Sequence, residues 1–345
     1  MVSQSRIAAS RPDAVASILT AGSISRDDVA RLRAEVFHDG VVSRDEAERM
    51  FDLNDRCTHN DPAWVAFFVE GLTDHLVWRT EPHGHVSADD AQFLIERIRK
   101  DGRIDSRAEF ELLVTVIDRA ESCPQELVLL ALGAVRDVVL QGSGLLFGPK
   151  RRRAGIVDTA DVEALRTILY AQAGDGSLRV SRAEADLLFD LNEATRGADN
   201  APAWQSLFVH AIAGHLTNPL GAPRLPTREQ ALARQRWLES GSGGAGGILA
   251  GMAGEIVRGR FGSAWAALDP FGARERQTEA AEAAAEATAQ AERAAIDSAE
   301  AAWLCARIPD TRAVDDNERA LLTFIKAEAV TVPAVLAPLF ARAGL

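Results

Sequence analysis

Eight times along this chain an apolar residue is followed by a small polar residue and then by a run of helix-forming sequence. The steps come as four pairs: Ile24-Ser25 with Val42-Ser43, Val86-Ser87 with Ile104-Asp105, Val157-Asp158 with Val180-Ser181, and Val314-Asp315 with Val330-Thr331. Ser, Asp and Thr side chains accept hydrogen bonds from the free amides of a helix's first turn, and the apolar residue before them staples onto that turn. Each step is therefore a helix start. In the first three pairs the two starts are separated by a helix and a short loop holding Asp39-Gly40, Asp101-Gly102 or Asp175-Gly176. Such punctuation predicts an all-α, internally repeated fold, a helical bundle or short solenoid of three-helix units.

The first unit, 21–82, carries Val29, Leu32 and Val36 on its first helix and Met50, Phe51 and Leu53 on its second. Its third helix, opened by Asp61-Pro62, carries Trp64, Phe67, Phe68, Leu72 and Leu76. Pro62 suits a first turn, where a missing amide removes no bond. The third unit, 158–218, reads almost as a copy. Phe51-Asp52-Leu53-Asn54 returns as Phe189-Asp190-Leu191-Asn192, Pro62-Ala63-Trp64 as Pro202-Ala203-Trp204, and His75-Leu76 as His215-Leu216. The second unit, 83–141, keeps the period but has Val114-Thr115-Val116-Ile117 for the Phe-Asp-Leu-Asn run and Glu126 where Trp64 stands. The fourth, 309–345, is a half-unit without Asp-Gly, expected either to cap the array or to pack back on the first unit.

The remaining segments differ in texture. Residues 1–20 are expected to be a flexible tail, 142–157 a Gly-rich and basic loop, and 219–274 a Pro- and Gly-rich linker with an apolar stretch. Residues 275–308 are rich in Ala and Glu, with no Gly or Pro between Glu275 and Ala306. They are expected to form one helix of up to roughly 45 Å, a spacer more than a core element.

Composition narrows the function. A net charge of -12 and a pI near 5.2 argue against a general binder of nucleic acid, which needs clustered Lys and Arg to neutralise phosphates. The one basic run, Lys150 to Arg153, reads as a solvated loop or a contact for an anionic partner or lipid, so peripheral membrane contact stays open. No apolar run reaches the roughly 18 residues of a spanning helix, and the first residues lack a secretory pattern. Cys57, Cys123 and Cys305 are widely spaced and read as reduced thiols. A cytoplasmic protein is the expectation.

The Asp-Gly loops are the first candidates for chemistry. Asp39-Gly40, apolar Val42 and Glu46 match the second half of an EF-hand calcium loop, but Glu35 and Phe37 stand at its first and third positions, and phenylalanine offers no oxygen to a hard cation. In the second unit Ala108 occupies the twelfth position, and in the third Glu184 comes two residues late. A second reading makes Ser43-Arg44-Asp45-Glu46 and Ser181-Arg182-Ala183-Glu184 capping boxes, with glycine supplying the turn that ends the preceding helix. Weak metal binding and partner contact remain the other readings of these loops. Helix, Asp-Gly, apolar residue, cap and Glu together resemble EF-hand-like helical repeats and the tellurite-resistance TerB-like family, whose helical domain carries acidic residues proposed to hold metal. That resemblance implies Asp39, Glu46, Asp175 and Glu184 as positions for a divalent cation such as Ca2+, with Ala108 departing from the pattern.

Both copies also keep Asp52, Asn54 and His75, or Asp190, Asn192 and His215. Residues two apart on a helix face away from each other, so one of each acidic and amide pair is expected to bond toward the third helix. The histidines read as structural first and as metal or proton carriers second. His83-Gly84-His85 is a weaker zinc candidate, short of thiolate or carboxylate company. The G-x-G-x-x-G at 241–246 follows a helical stretch instead of a strand, so it reads as a loop. No triad spacing stands out. The expected function is non-catalytic, without a cofactor: a helical scaffold that binds a protein partner or itself, with Trp265 and Phe271 as partner-binding anchors. The alternative is a divalent-metal or stress-response module of the TerB-like or EF-hand-like type.

Overall fold

The computed structural model describes residues 14–35, 42–57, 59–79, 81–99, 104, 106–142, 153–171, 180–216, 296–329 and 331–345. These are all-α, with a single two-residue parallel strand pair among them. Packing divides the chain into two units, 1–154 and 155–345.

The first unit runs α1 (Ala14–Ala21), β1 (Ser23–Ile24), α2 (Arg26–Glu35), α3 (Arg44–Arg56), β2 (His59–Asn60), α4 (Pro62–Thr73) with a π-helical end Asp74–Trp78, α5 (Ala88–Ile98), α6 (Arg107–Arg119) and α7 (Gln125–Gln141). The second runs α8 (Thr159–Ala171), α9 (Arg182–Ala194), α10 (Pro202–Leu216), α11 (Ser298–Arg307), α12 (Asp316–Glu328), a 3-10 turn Ala334–Leu336 and α13 (Ala337–Ala343). Capping boxes open α3 at Ser43, α6 at Ser106, α9 at Ser181, α11 at Asp297 and α12 at Asp315. In each, the cap side chain accepts from the third residue's amide while the glutamate there accepts from the cap's own amide, satisfying two otherwise unbonded donors.

In the first unit α4 lies against α6, and in the second α10 lies against α12. Phe51 sits at the first core with its ring edge-on to Phe68 at 5.2 Å and Phe93 at 5.7 Å. Phe189 sits likewise in the second, 5.1 Å from Phe208 and 5.4 Å from Trp303. Arg44 lies 3.3 Å over the Phe93 ring, and Arg182 lies 4.4 Å over that of Trp303. Asp61 N donates to Ile24 O at 2.8 Å and Ala201 N to Val157 O at 2.8 Å, joining the start of α4 to that of α2 and the start of α10 to that of α8. Val86 N bonds Ser122 O at 3.0 Å as Ile296 N bonds Thr331 O at 3.3 Å.

Several expectations need correction. The tail does not extend to residue 20, because α1 forms from Ala14, buries Ile18 and ends at Gly22, whose φ of +66° lets its amide bond Ile18 O. α6 starts one residue later than Ile104-Asp105 implies. Its cap is Ser106, which places Glu109 correctly for the capping box. Thr331 opens no helix; the chain continues through Pro333 into the 3-10 turn. The Ala-Glu segment is not one helix to Ala306, because Ile296 and Asp297 lie outside helix and Asp297 caps a new one. Ile296-Asp297 is the same apolar-polar step that marks the other starts, embedded in a stretch whose propensity hid it. The C-terminal helices pack on the third sequence unit, α12 lying against α10.

Candidate functional site

Among the described residues, the singled-out Glu46, Glu184, Asp52, Asp190, His75, His85 and His215 have structural partners. Glu46 accepts from Ser43 N at 2.8 Å and from Ser43 Oγ at 2.6 Å, and Glu184 accepts from Ser181 N at 2.9 Å. Burial pushes the Glu184 carboxyl above its ordinary value against the lowering effect of the Ser181 bonds. Asp39 and Asp175 lie outside the described residues, as do Trp265 and Phe271. Among the described residues no group of three or more His, Cys, Asp or Glu side chains is placed to hold a metal ion. Asp52 pairs with Arg97 at 3.3 Å, and Asp190 pairs with Arg307.

His75 Nδ1 bonds Val42 O at 2.7 Å, and His215 Nδ1 bonds Val180 O at 3.0 Å. A carbonyl only accepts, so Nδ1 carries the proton in both rings. Each histidine thus ties the end of α4 or α10 to the residue before the cap of α3 or α9. His85 Nδ1 lies 2.6 Å from Ser122 Oγ and its Nε2 3.5 Å from Glu121 Oε2, a Ser-His-Glu contact with no signal in sequence spacing. The same two segments are joined by Val86 N to Ser122 O and by Glu121 N to Gly84 O at 2.7 Å, so the contact fastens one loop to another. No disulfide links Cys57, Cys123 or Cys305.

The amide pair departs from this pattern of matched roles. In the first unit the Trp64 indole donates to Asn54 Oδ1 at 3.3 Å, while Asn54 Nδ2 donates to the cap hydroxyl of Ser106 at 3.4 Å. In the second, Asn192 Nδ2 donates to the cap carboxylate of Asp315 at 2.9 Å, but its oxygen is taken by Asn317 Nδ2 at 2.7 Å. Asn317 stands two residues after its cap, where Ala108 follows Ser106 and brings no donor. The Trp204 indole nitrogen is left buried with no hydrogen-bond partner. A second change lies beside it. Asp61 caps α4 by accepting from Ala63 N at 2.8 Å, but Ala201 stands at the same place before α10 and has no side-chain oxygen.

These residues line a cleft of about 410 Å³ between the end of α9, the start of α10 and the start of α12. Burial pushes the Asp315 carboxyl above the ordinary aspartate range, opposed by the bond from Glu318 N and the one from Asn192. Arg196 is held by the Ala313 carbonyl, and Asn200 is engaged at both ends, by Val157 N and Thr195 O, each at 2.9 Å. No Ser, Cys, His or Lys side chain lines the cleft. The Thr195 hydroxyl on its wall donates to Leu191 O at 2.8 Å. Sequence reading missed the cleft, although the signal was present: Asp61 becoming Ala201 interrupts an otherwise copied Pro-Ala-Trp opening.

No family model matches this chain, and no curated protein or solved structure does so. No helix among the described residues is long and apolar enough to cross a membrane.

Proposed function

We propose that this chain is a non-catalytic interaction protein of the cytoplasm, built from two versions of one duplicated helical module. The duplication pairs α2 to α7 with α8 to α13, in place of three successive three-helix units and a terminal half-unit. Its support is the recurrence, at corresponding residues, of the ring contacts, the arginine over a ring, the histidine on a carbonyl and the capping box that opens the fifth helix, α6 or α12. The observation that carries the non-catalytic reading is the engagement of the shared acids and histidines. Glu46 and Glu184 cap helices, Asp52 and Asp190 hold arginines, and His75 and His215 hold carbonyls. Residues so held serve the frame, and binding falls to parts where the modules differ, above all the long segment between α10 and α11 of the second. Trp265 and Phe271 are the anchors in that segment, and the partner is another protein or a second copy.

The test is deletion of 241–290, which spares α11, followed by circular dichroism and native mass spectrometry. The deleted protein keeps its helicity and loses its assembly, and Trp265→Ala with Phe271→Ala reproduces the loss. An unchanged assembly state in both would overturn the proposal.

A further inference from the structure

We draw no further inference here: the strongest candidate, the outer face of α7, where Leu129, Leu130 and Ala134 are half-buried and Leu140 is exposed beside the Arg136–Asp137 pair, carries nothing, because that pair is satisfied within its own helix and nothing in the structure shows what covers the face.

Discussion

His215 donates from Nδ1 to the Val180 carbonyl at 3.0 Å while its Nε2 is buried with no partner, the ring standing edge-on to Trp303 at 4.9 Å. Burial is the largest influence on this ring and holds its pKa below the ordinary 6.5, with Arg182 acting in the same direction and the Val180 bond and Asp186 opposing. A folded value below the unfolded one means that the unfolded chain takes up a proton the native ring refuses. The stability that follows is fully present above about pH 6.5 and is lost as pH falls through the depressed folded value. His215→Asn, whose amide still donates to the carbonyl, should therefore show a shallower fall in melting temperature between about pH 7 and pH 5. Parallel curves for the two proteins would show that the ring is neutral in both states or exposed in both.

The glutamates of the Asp-Gly units offer a second test, since a cap and a metal ligand respond differently to substitution. Ser181→Ala removes the side chain that accepts from Glu184 N, and should cost about 1 kcal/mol in urea unfolding. Glu46→Gln preserves an oxygen for Ser43 N and should leave stability nearly unchanged, because glutamine also serves in a capping box. Under the capping assignment excess Ca2+ or EDTA leaves the melting temperature of the parent where it is. A calcium-dependent rise that Glu46→Gln abolishes would assign the carboxylate to a metal instead.

Glu318 is fully buried, caps α12 by accepting from Asp315 N at 2.9 Å, and is neutralised by Arg312 at 2.8 Å. Removing the guanidinium leaves a carboxylate in the interior, and Arg312→Ala should destabilise by about 3 kcal/mol or more, the scale of breaking a buried pair from one side. Combining Arg312→Met with Glu318→Gln keeps an oxygen for the cap and removes both charges, so most of the loss should return. Chemical denaturation of the three proteins checks this, and a double variant as unstable as Arg312→Ala would place the effect in packing.

The helix starts and core rings were legible because they rest on local rules. Ser43, Ser87, Ser181 and Asp315 cap where the apolar-polar step placed them, and Phe51, Trp64, Phe189 and Trp204 are buried where periodicity put them. The partnering of segments was not legible, because it rests on contacts between residues more than a hundred positions apart. Asn192 reaches Asp315 and Arg307 reaches Asp190 across such a gap. The cleft depended on the same long reach. Asn317, which bonds Asn192 there, was passed over by the search for copied motifs because it belongs to neither Phe-Asp-Leu-Asn nor Pro-Ala-Trp.

Trp303 joins the Ala-Glu segment to the second core, and its substitutions distinguish a core helix from a spacer. Its ring meets Phe189 and His215, its indole donates to Asp186 Oδ1 at 2.8 Å, and Arg182 covers its face. Phe93 occupies the corresponding place beside Phe51 under Arg44, so a phenylalanine ring is compatible with these surroundings. Trp303→Ala should cost about 3–5 kcal/mol, as truncation of a buried aromatic does, because the cavity opens against Phe189. Trp303→Phe should cost about 1 kcal/mol, since it keeps the edge-on ring contact and loses one hydrogen bond to a carboxylate that water can reach. If both variants melted with the parent, α11 would be a spacer resting on the unit. A large loss for alanine alone makes it one of the unit's own core helices, and any truncation used to test assembly must then stop before Ile296.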